Sequence, residues 1–397
     1  MSTADRLTSI EICAGAGGQA VGLHAAKFRH LALVEIDRHA AATLALNVRE
    51  NPAWKWEREH CVIINRDVNT FKPLEEVPNP SRKGKKGNSG KHGEEGDFLK
   101  PGELDLLAGG VPCPPFSAAG KQLGRDDERD LFPKMLDLVD QLRPRAVMIE
   151  NVRGLVEPEP KFRYYRNHIK NRLRKSGYVI CGWNVLEAQD FGVPQLRPRA
   201  ILVAIRKDQY RGFDWPVPRK KITTVAQALE ESMARRLGGK DSPLFKQWWD
   251  KASLGTVAPT LVGGSKKHGG ADLGPTRAKK AWNALGVNGM GVANDEDKTI
   301  DRDRDLGSLA QERGPMLTVE QAAIIQGFPK DWRFEGKKTA QYRQVGNAFP
   351  PLVAEAVGRA IAEALQRTGE LREDPDPEFE PEEDPSLTAV QESFPPS

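Results

Sequence analysis

Short β-branched and aliphatic runs alternate with helical patterns through the first 150 residues, and few architectures accept that order. Candidate strands occupy 8–13, 31–35, 62–65, 104–107 and 146–150, with helical stretches at 19–28, 38–49 and 131–142 between them. Strand and helix in turn predict an α/β fold built on a doubly wound, mostly parallel sheet. Two further strands, 179–186 and 200–206, flank a polar loop. Near the end, Pro350 and Pro351 open a helix in which Val353, Val357, Ile361 and Leu365 share one face with Leu352, Ala356, Ala360 and Ala364. So long an apolar face needs a partner, and the helix is predicted to pack back on the N-terminal sheet.

Three stretches break the alternation. Residues 79–102 are rich in Gly, Lys and Ser and bring too little apolar surface to order themselves, which marks a flexible insertion. From 207 to 314 the periodicity decays into Gly-, Lys- and Asp-rich sequence, which reads as a smaller, irregular second domain. From Gly369 onward ten acidic residues face one basic residue, Arg372, among six prolines, as in a disordered solvating tail. The implied layout is a main domain over 1–206, a small domain over 207–339, a return to the main domain over 340–368, and the tail over 369–397. Without its tail the chain carries 58 basic and 45 acidic residues, a field that favours polyanions. No apolar run approaches the roughly 20 residues of a membrane span, and no charged-then-apolar leader opens the chain. An intracellular, cytoplasmic protein with no membrane contact is expected. The four cysteines lie 48 or more residues apart, with no C-x-x-C pair and no histidine at zinc spacing, so neither a metal site nor a disulfide framework is expected.

After the first strand, Gly15-Ala16-Gly17-Gly18-Gln19-Ala20 satisfies G-x-G-x-x-G/A, and Glu35 closes the second strand. A ligand can approach such a turn closely while the acid reaches ribose hydroxyls. NAD, FAD and S-adenosylmethionine enzymes share this pattern, which therefore points to a nucleoside cofactor without choosing among them. Asp67, past the third strand, is placed to meet an adenine amino group, or else caps a helix. Cys113 stands in Gly110-Val111-Pro112-Cys113-Pro114-Pro115, directly after a strand. Three prolines around one thiol are an odd setting for a filler cysteine and suit a presented thiolate nucleophile. Glu150 ends the fifth strand, where a buried strand avoids charge; it is either a strand-end ion-pair partner or a proton-handling carboxyl beside the thiol. Gln195, Arg197 and Arg199 alternate, and so share one face of an extended segment; a solvated basic strand entrance is their plainer reading.

Taken in order, the 15–18 turn, Glu35, Asp67, Pro112-Cys113, Glu150-Asn151-Val152, Gln195-x-Arg197-x-Arg199, Gln326-Gly327-Phe328-Pro329 and Gln344-Val345-Gly346-Asn347 resemble the DNA (cytosine-5)-methyltransferase family. The likeness covers roughly 8–206 and 316–366. It implies a Rossmann-like S-adenosylmethionine-dependent catalytic domain and makes the small irregular domain a target-recognition domain. It makes Cys113 the nucleophile, sets Glu150, next to Asn151, on the N3/N4 edge of a cytosine, and gives Gln195, Arg197 and Arg199 the catalytic pocket and target nucleotide. Gly15, Ala16, Gly17, Gly18, Glu35, Ile36, Asp67, Val68, Leu131, Asn347 and Ala348 would surround S-adenosylmethionine, with S-adenosylhomocysteine as product. Residues 117–129, hinged at Gly120 and Gly124, look like the family's loop that closes on DNA, bringing Ser117, Lys121 and Gln122 to it. Three departures are visible: Glu11-Ile12-Cys13 where the family usually has Asp-Leu-Phe, Ala323-Ile324 where an arginine is usual, and Asn347-Ala348-Phe349-Pro350 in the last motif.

The implied chemistry needs these residue types. Cytosine C5 is too poor a nucleophile to take a methyl group directly, whereas thiolate addition at C6 makes it electron-rich, and attack on the ring face requires a flipped base. Double-stranded DNA is the implied substrate, the enzyme a monomer, and a restriction endonuclease acting on the same site its companion in a bacterial restriction-modification system. A tRNA substrate, a nicotinamide-dependent oxidoreductase and a non-catalytic DNA-binding module are the competing readings. Within the small domain, 263–280 holds Lys266, Lys267, Arg277, Lys279 and Lys280 against one acid, Asp272, in a glycine-rich frame suited to phosphates and guanine edges. DNA affinity is therefore expected to fall with salt, with a log–log slope of about −0.9 per neutralised phosphate. Filter binding across a salt series checks this, and a flat response would remove the footprint.

Overall fold

The computed structural model describes residues 6–82, 97–112, 130–158, 162–263, 272–294, 314–375 and 377. Among these, seven strands form one sheet in the order β3-β2-β1-β4-β5-β7-β6: β1 (Thr8–Ile12), β2 (Arg29–Val34), β3 (Val62–Ile64), β4 (Leu106–Gly109), β5 (Ala146–Val152), β6 (Tyr178–Glu187) and β7 (Pro198–Arg206). The first five run parallel, while β7 lies antiparallel between β5 and β6. The order reverses between β1 and β4, so the loops leaving their carboxyl ends diverge and open a crevice there.

Both faces of the sheet are covered, which explains why the central strands read as unbroken apolar runs. Leu107, Val147 and Ile149 join one core with Phe132, Met135, Ile169 and Leu173. Leu106, Ala108, Ala146 and Met148 join the opposite core with Leu23, Val353, Val357 and Ile361. The predicted return of the C-terminal helix, Pro351–Gln366, is thus observed, and its closest neighbour is helix α1 (Gly18–Ala25). Strand ends differ from the sequence reading by one or two residues. The largest shift is at β4, where Asp105 precedes the strand and its carboxylate accepts from the Thr8 backbone N–H at 2.7 Å.

The region 207–314 is more regular than its composition suggested. It carries helices Val225–Arg236, Pro243–Ala252 and Thr276–Ala284. Thr224 and Gln227 form a capping box at the first, while Ser242 with Pro243 starts the second. Leu229, Met233, Trp248, Trp282 and Leu317 build a core that runs on without a break to Ala14, Leu44 and Trp54. The glycine and lysine content of the intervening segments hid this periodicity. The two ends of the predicted insertion pair with each other, Asn79 N–H to Asp97 C=O at 2.8 Å and Leu99 N–H to Val77 C=O at 3.0 Å, so it leaves the fold as a side excursion. Residues 83–96 and most of the acidic tail lie outside the described residues. No helix among the described residues is long and apolar enough to cross a membrane.

Gly22 shows how tightly α1 meets the C-terminal helix: a Cβ there would lie 2.3 Å from the Pro351 carbonyl oxygen and 2.5 Å from Ala354 Cβ. Helix propensity alone favours Gly22→Ala by about 1 kcal/mol, whereas overpacking against backbone costs about 1–3 kcal/mol. A net destabilisation is expected in urea unfolding, and a raised midpoint would show that the helices separate easily.

Candidate active site

The crevice at the β1/β4 reversal is a cleft of about 350 Å³. Its walls come from the turn after β1 (Gly15, Ala16, Gly18, Gln19), the end of β2 (Glu35, Asp37), the loop after β4 (Gly110, Pro112), the end of β5 (Glu150) and a segment from the far end of the chain (Arg343, Asn347, Ala348, Phe349). Gly15 has φ 56°, and a Cβ there would meet nothing within 4 Å, so its backbone faces open cleft. Gly17, at φ 90°, is needed for a different reason, because a Cβ would strike Trp332 at 2.6 Å. The Trp332 indole N–H donates to the Ala16 carbonyl at 2.9 Å, bracing the turn from beneath. Glu35 accepts from the Gly15 N–H and, through its other oxygen, from the Asp37 N–H, both at 2.7 Å. Burial raises its pKa against the pull of those two donors.

At the opposite wall, Glu150 Oε1 meets Arg199 Nε at 2.7 Å, each side chain 14% exposed. The antiparallel register makes this contact: Glu150 lies across from Ile201, so Arg199 is its diagonal neighbour on the same face. Burial raises the Glu150 pKa, and the Arg199 and Arg197 charges oppose that rise. Asn151 donates from Nδ2 to the Val111 carbonyl at 2.8 Å, tying the loop that enters Pro112 to the end of β5. Cys113, Ser117, Lys121 and Gln122 lie outside the described residues, as do Lys266 and Lys267. The three described cysteines are unsuited to a thiolate role. Burial and nearby carboxylates push Cys13 up to about 12, burial pushes Cys181 up to about 12, and Cys61 rises for the same reason as Cys13.

Not every residue named from sequence reaches the cleft. Gln195 is fully buried, donating to the Ile325 carbonyl and Gln326 Oε1 while accepting from the Leu261 N–H. Arg197 is also buried, donating to the Leu261 carbonyl at 2.6 Å and the Gly346 carbonyl at 2.8 Å. Both behave as ties between distant segments rather than as lining groups. Asp67 caps the turn Val68–Thr70 through the Asn69 N–H, the plainer of its two readings, and like Val68, Leu131 and the exposed Ile36 it is not part of the cleft wall. Arg277 and Lys280 are exposed on the first turns of helix Thr276–Ala284, whereas Lys279 is paired with Asp272 at 2.9 Å. Sequence reading gave no site role to Glu11, Gln19 and Arg343, which line the cleft, or to Trp332, which supports it. Glu11 carried the same signal as Glu150, a charge inside an apolar strand.

Carboxylates dominate this wall: Glu11, Glu35, Asp37 and Glu150 line it, against Arg343 and His39. Such a field disfavours a pyrophosphate and suits a ligand bearing positive charge. Among the described residues no cluster of His, Cys, Asp and Glu could hold a metal ion.

A family model described as "C-5 cytosine-specific DNA methylase" matches residues 7–60 and 80–363. The chain is 45% identical over 98% of its length to the Type II methyltransferase M.NaeI of Lentzea aerocolonigenes, covering 81% of that protein. It is 43% identical over 91% of its length to the Type II methyltransferase M.NgoMIV of Neisseria gonorrhoeae, covering 99% of it. Among solved structures, the Entamoeba histolytica methyltransferase EhMeth superposes with a TM-score of 0.56 at 14% identity, over 91% of this chain and 99% of that one. The S. pombe Dnmt2 methyltransferase superposes with a TM-score of 0.54 at 17% identity, with the same coverage. Both share the fold.

The Glu150–Arg199 pair generates a pH-dependent expectation. Arg199→Gln leaves a shielded carboxylate without its counter-charge, at a cost of about 3 kcal/mol. The folded-state pKa of Glu150 then rises further above its unfolded value, and stability from a raised pKa is lost as pH climbs through the folded value. The deficit against wild type should therefore grow as pH rises above about 4.3, the ordinary glutamate value, in urea unfolding. A deficit independent of pH would mean that the two charges do not interact.

Proposed function

The chain belongs to the C-5 cytosine-specific DNA methylase family, and on that premise we propose which of its residues carry the methyl transfer and with what cofactor. The observation that carries the assignment is a single cleft shared by the glycine turn, Glu35, Glu150 and Pro112, the residue immediately before Cys113. The cleft's lining supports S-adenosylmethionine: Gly15 offers open backbone, Glu35 would take the ribose, Asn347 and Ala348 form the facing wall, and the acidic lining suits a sulfonium. When bound, this cofactor supplies an electrophilic methyl group for C5 of the target ring.

Cys113, as the thiolate, adds to C6 of a flipped cytosine and shifts electron density towards C5. Glu150 holds a proton at the N3/N4 edge while the ring carries that density, and Arg199 holds Glu150 in place. Once C5 carries the methyl group, a solvent base takes the C5 proton, the C–H electrons re-form the C5–C6 double bond, and the C6–S bond breaks to return Cys113 as the thiolate. Asn151 fixes the loop leading to Cys113 by its bond to Val111, and Gln195 and Arg197 are positioning residues. Target reading falls to 207–339, with Arg277, Lys280 and the 263–280 segment on the phosphates, and loop closure to 117–129. The enzyme acts as a cytoplasmic monomer in a bacterial restriction-modification system, alongside an endonuclease for the same site.

Cys113→Ala is expected to lower methyl transfer by at least about 10³-fold while duplex binding persists. Duplexes carrying 5-fluorocytosine at the target should trap the wild-type chain as a complex that survives denaturing electrophoresis, since fluorine cannot leave as a proton does. Full turnover by the variant, or no trapped species with wild type, would contradict the assignment.

A further inference from the structure

Strand β6 is the last in the sheet order, and the chain that follows β7 runs along its outer side. At a register irregularity between Ile180 and Gly182, the Trp215 indole N–H donates to the Cys181 carbonyl at 3.1 Å, and a Cβ on Gly182 would lie 2.9 Å from that nitrogen. Trp215 thereby covers part of an edge that would otherwise offer unpaired backbone. Edge cover does not account for what comes next. Val217 is 84% exposed, and Arg219, Lys220 and Lys221 beyond it are exposed as well. Among the described residues none of these three cations makes an ion pair or a side-chain hydrogen bond. Adjacent like charges repel, and Pro216 and Pro218 restrict the backbone that presents them.

The place of this run is set by the strand register. Glu187 at the end of β6 lies opposite Pro198, and Val152 at the end of β5 lies opposite Arg199, so the turn Ala188–Phe191 stands at the same sheet edge as Glu150. Arg219 is fixed to that turn: its backbone N–H donates to the Asp190 carbonyl at 2.7 Å, and a Cβ on Gly192 would lie 2.6 Å from its Nη1. At about 4.8 Å per strand the run is roughly 10 Å past Glu150, on the side away from the glycine turn. We infer that Arg219, Lys220 and Lys221 contact the phosphate backbone of the duplex that flanks the target base. The inference rests on Glu150 receiving its base from double-stranded DNA. A duplex carries one charge per about 1.7 Å of its axis, so a helix that offers a base to Glu150 also brings phosphates that far along the edge. Such contacts hold the duplex in register and read no sequence.

Fluorescence anisotropy tests this with the full-length protein and a labelled duplex that extends beyond it on both sides, titrated across a potassium chloride series. Lys220→Gln together with Lys221→Gln should make the log–log slope shallower by about 1.8, about 0.9 for each lost phosphate contact, and Lys220→Arg together with Lys221→Arg should keep it. Lys100→Gln together with Lys207→Gln, two exposed cations at the opposite sheet edge, should leave the slope unchanged. In methyl-transfer assays on plasmid DNA the Lys220/Lys221 glutamine pair should raise KM for DNA at least about threefold and hold kcat within about twofold. An unchanged slope in that pair, or an equal change in the opposite-edge pair, overturns the contact and leaves the enzyme assignment standing. If the unaltered protein binds duplex without salt dependence, or methylates tRNA and not DNA, the reading beneath the inference fails and the contact with it.

Discussion

The α-carbon of Gly18 lies so close to the Phe349 carbonyl that a Cβ would come within 2.2 Å of that oxygen, and the rest of the cleft depends on this contact. An open α/β sheet provides a crevice at its strand-order reversal, but not its far wall. Here the wall is residues 347–349, delivered from the other end of the chain and held by the helix that packs against α1. Trp332 supports the same turn from below, through Ala16 and against Gly17. The turn is therefore fixed by protein contacts on two sides before any ligand arrives, which lowers the ordering cost of binding. Of its glycines, only Gly15 meets open space.

Three carboxyl groups in this cleft, Glu11, Glu35 and Glu150, are all raised in pKa, with burial the largest cause at each. They differ in what compensates them. Glu35 has two backbone donors, Glu150 has a guanidinium, and Glu11 has the Gln19 amide. Burial disfavours the charged form of each acid and draws it towards the protonated one, and a positive charge nearby draws it back to the carboxylate.

How far the sequence could be read depended on whether a residue's role was set locally. The alternation of strand and helix, the apolar face of Pro351–Gln366 and the emergence of Glu150 at the sheet edge are properties of short segments, and each stands where it was expected. The ties made by Gln195 and Arg197 were not legible because their partners, Leu261, Gln326 and Gly346, lie 64 to 149 positions away. Asp67 shows the converse: the local reading, a cap on Val68–Thr70, is what the geometry displays. The helices of 207–314 were hidden because each is short and set between glycine- and lysine-rich stretches that dilute a 3.6-residue period.

The buried ties also explain why two parts of the molecule cannot move independently. Arg197 holds the Leu261 and Gly346 carbonyls with one guanidinium, and at that crossing a Cβ on Gly346 would lie 2.6 Å from the Gly263 nitrogen. Gln195 contacts Gln326, whose amide donates to the Ala348 carbonyl at 2.5 Å. One side of each tie leads into 207–339, and the other into the cleft wall at Asn347 and Ala348. A rotation that carried the small region away from the sheet would have to break charged and neutral hydrogen bonds in a dry environment, where an orphaned partner is costly. Any adjustment of that region on meeting a duplex must therefore either occur beyond residue 263 or be transmitted to the wall that faces the glycine turn.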